Sequence, residues 1–132
     1  MRAYDFAITA PNTHGSLADL ADEMGREKIN IEGLFVAESG KEVVIHVLTT
    51  DRAAITNAVK KVGYKVINET EVVLENVENR PGMLAEIVRP LADAKISLTT
   101  TYLATDGRLV LGCENISALE SALKARPVTA NR

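Results

Sequence analysis

Two short stretches of this chain carry residue types that could hold a small charged molecule. One is "TAPNTHGSL", residues 9–17, and the other is "ENVENRPGML", residues 75–84. In each, an asparagine (Asn12, Asn79) stands three residues before a glycine (Gly15, Gly82) at the start of a helical pattern. A glycine there lets the backbone take positive φ or approach another group closely. Pro81 fixes its own φ and leaves no N–H unpaired. The first N–H groups of a helix have no partner inside it, and the positive end of the helix dipole lies behind them, so such a mouth suits a carboxylate. A carboxamide both donates and accepts, so it can meet an ammonium and a carboxylate alike. Together these groups match the head group of an α-amino acid. The residue chemistry also admits a plainer reading, in which Asn and Gly serve only to turn the chain.

Other reactive side chains give less. His46 alternates with Val44 and Leu48 on a strand pattern and has no second ligand at useful spacing, so it reads as a hydrogen-bonded sheet residue and not as a metal ligand. His14 lies in the first loop itself, where it could cap the helix or tune binding with pH. Cys113, the only cysteine, reads as a buried apolar residue within a strand. Arg80 could pair with a carboxylate or stand in solvent. The chain has no G-x-S-x-G, P-loop or C-x-x-C motif. The expectation is a protein that is not an enzyme and carries no metal or cofactor.

Bulk properties narrow the partners. With 132 residues, 46% hydrophobic and 25% charged, the chain suits one ordinary domain or two very small ones. A net charge of −3 and the lack of any basic run beyond Lys60-Lys61 argue against nucleic acid. No apolar run reaches the length of about 18 residues that a membrane span needs. Asp5 interrupts any secretory-type apolar core, and one cysteine cannot form an internal disulfide, so a cytoplasmic location is expected.

The elements that must position the two loops repeat. Alternation predicts a strand over 4–10, helical spacing a helix over 16–28, then a hairpin of strands 29–38 and 42–50 around "SGK", a helix over 51–63 and a strand over 64–68. Ser16 followed by Asp19 resembles a helix start, Leu17, Leu20, Ala21 and Met24 mark its apolar stripe, Asp51 is a plausible cap and Gly63 a stop. The second copy gives a strand over 70–77, a helix over 83–95 with Leu84, Ile87, Val88 and Leu91 inward, a hairpin of strands 96–104 and 108–114 around "TDG", and a helix over 116–124. Pro90 should kink that first helix or end it early. A slide of 67 aligns Gly15 with Gly82 and Ile29 with Ile96; a slide of 64 aligns Ile55 with Leu119. The chain after Lys124 is short and polar, so the second copy is expected to lack most of its last strand or to borrow that place from elsewhere. Residues 1–69 and 70–132 form the two units, with no linker between them.

A βαββαβ unit with N-x-P-G-x-L between strand and helix, then "ADAKISL", resembles the ACT domain. Residues 78–103 are most similar to the serine-binding ACT domains of phosphoglycerate dehydrogenases, and the resemblance covers nearly the whole chain as two tandem units. It implies an α+β, ferredoxin-like fold: antiparallel sheets of order 4-1-3-2, helices on one face, and the second strand at an open edge that pairs readily. It also implies an amino-acid-binding regulatory protein whose ligand sits where ACT units meet, contacting the first loop and the start of the second strand. Carried over, these positions are Asn12, Thr13, His14, Gly15, Ser16 and Leu17 with Asn30 and Ile31, and Asn79, Arg80, Pro81, Gly82, Met83 and Leu84 with Ser97 and Leu98. Asn30 matches the dehydrogenase-type asparagine; Ser97 departs from it, and Ala10 and Val77 replace a family histidine. The implied partners are a small amino acid, a second copy in a homodimer or larger assembly, and a partner enzyme. The alternative is a regulatory or assembly subunit that binds no ligand.

Overall fold

The computed structural model describes residues 1–125. Its elements are β1 (Arg2–Pro11), α1 (Ser16–Arg26), β2 (Gly33–Ser39), β3 (Glu42–Thr49), α2 (Arg52–Lys61), β4 (Lys65–Asn76), α3 (Met83–Asp93), β5 (Thr100–Leu103), β6 (Arg108–Gly112) and α4 (Ile116–Ala125). They form two compact units, one of Ala3–Thr70 and one of Glu71 onward together with Met1–Arg2. The boundary falls inside β4, so the strands expected separately at 64–68 and 70–77 are one uninterrupted strand of 12 residues.

In the first unit the strand order is β2-β3-β1-β4. Alternation along β1 sends Phe6, Ile8 and Ala10 to one face, and the register places Phe6 opposite Val47 and Ile8 opposite Ile45. These meet Leu20 and Met24 of α1 and Ile55, Ala58 and Val59 of α2 in a single core, which puts both helices on that face. α1 is rotated from the expected stripe: Ser16, Leu20, Glu23 and Met24 are buried, while Leu17 is 38% exposed. On the other sheet face Asp5 is buried, and its Oδ2 lies 2.8 Å from Nδ1 of His46. The His46 ring stacks on Phe35 at 4.1 Å. The expected role of His46 as a hydrogen-bonded sheet residue is what its geometry gives.

Helix ends follow local chemistry. Asp51 accepts from the Ala54 N–H and caps α2. Gly63 takes φ 82°, and the Tyr64 N–H returns to the Val59 carbonyl, closing α2 as anticipated. The same closure ends α1 and α3 on lysines, Lys28 (φ 56°) and Lys95 (φ 61°), where the residue type gave no warning.

In the second unit the order is β4-β6-β5, with Val73 opposite Leu111. Val73, Leu109 and Leu111 pack with Ile87 and Leu91 of α3 and Leu119 and Leu123 of α4. Leu84, expected inward, is 49% exposed. α3 runs through Pro90 to Asp93 and does not end early; Pro90 still accepts through its carbonyl from the Ala94 N–H. Asp106 (φ 59°) and Gly107 (φ 65°) make the β5–β6 turn, both with the positive φ that "TDG" predicts. The expectation of a missing last strand concerns residues 126–132, outside the described residues. Beside β4, the Met1 carbonyl accepts from the Leu74 N–H at 2.8 Å. The Arg2 guanidinium donates to both carboxylate oxygens of Glu120, at 2.6 and 3.2 Å, and reaches Glu71 at 3.4 Å. Residues from the start of β1 therefore serve the second unit at the flank where a fourth strand would pair.

Candidate functional site

The two strand-to-helix junctions have one geometry. Gly15 (φ 88°, ψ −6°) precedes α1 and Gly82 (φ 85°, ψ −10°) precedes α3, each in the left-handed region, and neither helix has a side-chain cap. A Cβ added at either glycine would meet nothing within 4 Å. Of the two roles open to these glycines, positive φ is the one used, with open space in front. Backbone pairing at the mouths matches as well. The Ser16 N–H donates to the Thr13 carbonyl and the Asp19 N–H to the Gly15 carbonyl; the Met83 N–H donates to the Arg80 carbonyl and the Glu86 N–H to the Gly82 carbonyl. Between these lie the N–H groups of Leu17 and Ala18, and of Leu84 and Ala85, for which no protein acceptor is found among the described residues. Each mouth thus offers two adjacent amides and the positive end of an 11-residue helix.

The side chains around the mouths differ. In the first, Ser16 is not a cap: its Oγ donates to the Pro11 carbonyl at 2.7 Å and lies 3.1 Å from Thr13 Oγ1, and the Tyr64 hydroxyl donates to the Ser16 carbonyl. These bonds brace the loop from beneath. Asn12 Nδ2 donates to Glu38 at 2.7 Å and to the Gly40 carbonyl at 3.3 Å, tying the loop to the β2–β3 turn. His14 is exposed at the rim. In the second mouth Arg80 takes the place of Thr13 and grips Glu86 through two nitrogens, at 3.1 and 2.5 Å, and Glu78 at 3.1 Å. The Glu86 hydrogen bonds, then those of Glu78, push the Arg80 guanidinium pKa further upward. Asn79 and Pro81 are exposed beside it, and Met83 is half-buried against the core. The pairing of Arg80 with carboxylates was one of two options in the sequence; the partners Glu78 and Glu86, and Glu38 for Asn12, carried no sequence signal.

The second-strand positions lie elsewhere in each unit. Asn30 and Ile31 precede β2, whereas Asn12 is tied to the far end of that strand. The seven residues of β2 rise through about 20 Å, so loop and strand start stand at opposite ends. Ser97 and Leu98 likewise precede β5, with the β5–β6 turn at its other end. Asn30 Nδ2 donates to Glu32, and Ile31 and Leu98 lean on the cores. Within one unit the two segments are therefore not brought together. Apolar side chains border each mouth and edge strand: Leu17, Leu34 and Val36 in the first unit, Leu84 and Leu103 in the second. Val36 and Leu103 are related by the same slide of 67 as the glycines, so the repeat itself marks this pair.

No family model matches the chain, and no curated protein does. Solved structures do. A Bacteroides thetaiotaomicron protein, BT0572, superposes with a TM-score of 0.81 at 25% identity, over 94% of this chain and 88% of that one. The ligand-free regulatory subunit of aspartate kinase from Thermus thermophilus gives 0.70 at 14% identity, over 93% and 88%. A putative C-terminal regulatory domain of aspartate kinase from Porphyromonas gingivalis gives 0.60 at 12%, over 98% and 97%. The fold is a tandem ACT fold. Its ACT units keep the expected edge strands β2 and β5, and no described helix is long and apolar enough to cross a membrane.

Proposed function

We propose that this chain is a regulatory protein that binds a small amino acid at its ACT helix mouths and modulates a partner enzyme. The observation that carries the reading is the duplicated mouth: a positive-φ glycine, two amides without a protein acceptor and open space before them, beside an apolar edge strand. The ligand's carboxylate would lie on the amides. Loop and strand start stand at opposite ends of one unit, so an ACT unit of a second copy would complete the site, and the exposed Leu34 and Val36 favour a homodimer through β2. Ligand would tighten that seam and favour whatever prefers the tightened form, by a coupling of about 1–3 kcal/mol. The likeness to regulatory subunits and domains of aspartate kinase supports a non-enzymatic role beside an enzyme of amino-acid metabolism. A cytoplasmic location goes with a single half-exposed thiol. A thermal-shift screen of the twenty amino acids tests the reading: one or a few should stabilise the chain by about 2.7 kcal/mol at a hundredfold over Kd. Silence across the panel refutes ligand binding.

One observation, at the second mouth, favours the second reading, an assembly or regulatory subunit that binds no ligand. There Glu86 brings the chain's own carboxylate to the first turn, held by Arg80. That reading predicts a stoichiometry below two ligands per chain in calorimetry.

A further inference from the structure

Away from the helix mouths, the second unit contains a cleft of about 510 Å³ between the α3–β5 connection and the β6–α4 connection. Its polar lining is Lys95, Ser97, Thr99, Cys113, Glu114 and Asn115. Several of these groups are fixed by the chain. The Thr99 N–H and Oγ1 both donate to the Gly112 carbonyl, at 2.8 and 3.3 Å. The Cys113 thiol donates to the Asn115 carbonyl at 3.1 Å, and Asn115 Oδ1 caps α4 by accepting from the Ala118 N–H. The thiol is therefore not the buried apolar group its strand position suggested; it stands half-exposed on the cleft wall.

The fold does not require this opening. The first unit has the same connections: the Glu32 N–H donates to the Leu48 carbonyl as Thr99 does to Gly112, and Asp51 caps α2 as Asn115 caps α4. There the residue matching Cys113 is Thr49, 1% exposed, and Ile29, matching Ile96, is 9% exposed. In the second unit both counterparts are half-exposed. One repeat shuts the place that the other leaves open, and the open one carries an ammonium, a carboxylate, two hydroxyls and a carboxamide around a volume in the range of small-molecule sites.

We propose that the cleft between Lys95 and Glu114 is a ligand site in its own right, for a small zwitterion whose acid meets Lys95 and whose ammonium meets Glu114. Cys113 reports on occupancy, because a ligand in the cleft shields its thiol from alkylation.

The experiment follows N-ethylmaleimide labelling of the full chain by mass spectrometry, with each of the twenty amino acids present. At least one should slow labelling, by about elevenfold at ten times its Kd if the occupied form does not react. Protection should persist in a Gly15→Ala, Gly82→Ala double variant and vanish in a Lys95→Met, Glu114→Gln double variant. The proposal is overturned if no amino acid slows labelling, if protection is lost in the glycine variant, or if it survives in the Lys95/Glu114 variant. The glycine variant also separates this site from the mouths: a thermal shift that shrinks there while thiol protection is unchanged assigns the two effects to two places.

Discussion

The left-handed glycines permit a sharp test, because one substitution should have opposite effects at two places. Alanine at Gly82 would sit at φ 85°, which costs about 1–2 kcal/mol for an L-residue. No steric cost adds to this, since the new Cβ meets nothing within 4 Å. Restricting the unfolded chain returns about 0.4–1 kcal/mol. The net is a loss of up to about 1.6 kcal/mol, or a fall in Tm of up to roughly 13 °C for units of this size. Gly25 lies inside α1 with equally open surroundings and no positive φ. Alanine there should instead stabilise by about 0.5–1 kcal/mol, the ordinary helix-interior difference. Scanning calorimetry of Gly82→Ala, Gly25→Ala and the parent supplies the readout, repeated with the amino acid that gives the largest shift in the parent. Gly82→Ala should also weaken the response at its mouth, because an L-residue resists the left-handed φ that sets the start of α3 and its Leu84 and Ala85 amides. A Gly82→Ala protein that melts above the parent, or a Gly25→Ala protein that melts well below it, would refute the junction geometry. An undiminished ligand response in both Gly15→Ala and Gly82→Ala would refute the mouths as the binding place.

Further outcomes follow from the packing and the charges. Leu20→Ala and Leu119→Ala each empty a fully buried position of one unit, so urea titration should show losses of about 2–5 kcal/mol. His46→Leu leaves the buried Asp5 without its imidazole partner and should cost about 1–3 kcal/mol in the same assay, whereas no change would mean that the pair is structurally idle. Glu120 has its carboxyl pKa lowered by the Arg2 hydrogen bonds, so its contribution is complete above the unfolded value of about 4.3 and fades as pH falls through the lower folded value. Glu120→Gln should therefore lower Tm near neutrality and lose that difference at strongly acid pH; a gap that widens on acidification contradicts the pairing. Leu34→Lys with Val36→Lys should convert the proposed dimer to a monomer in light scattering, and an unchanged mass would place the contact elsewhere.

Much of the fold was legible because hydrophobic period and turn chemistry agreed. The alternation of β1, the Asp51 cap, the Gly63 stop and the "TDG" turn each stand where residue type put them. The misses have physical causes. Leu17 and Leu84 fit a helical stripe, but in α1 Ser16 is drawn inward by its bond to the Pro11 carbonyl and in α3 Met83 leans on the core, so the leucines that follow them stand outside. A proline inside α3 suggested an early end, yet core packing of Ile87 and Leu91 on either side carries the helix through. At the candidate site, backbone features were readable and side-chain partners were not. Glycine spacing announced both mouths, but that Asn12 is held by Glu38 and Arg80 by Glu86 depends on chain segments brought together only by folding. The cleft at Cys113 was hidden for a similar reason, since nothing local distinguishes a thiol that is covered from one that is not.

The bond from Arg2 to Glu120 spans 118 positions of sequence. A contact so distant in sequence carries the loop-closure entropy of every element between its two ends. During synthesis, residues 1 and 2 must stay uncommitted while everything between them and α4 is made, and an incomplete product would show a bare flank of β4 to its neighbours. A substitution at Arg2 would therefore be felt first by the unit that holds α3 and α4, although β1 packs chiefly in the other.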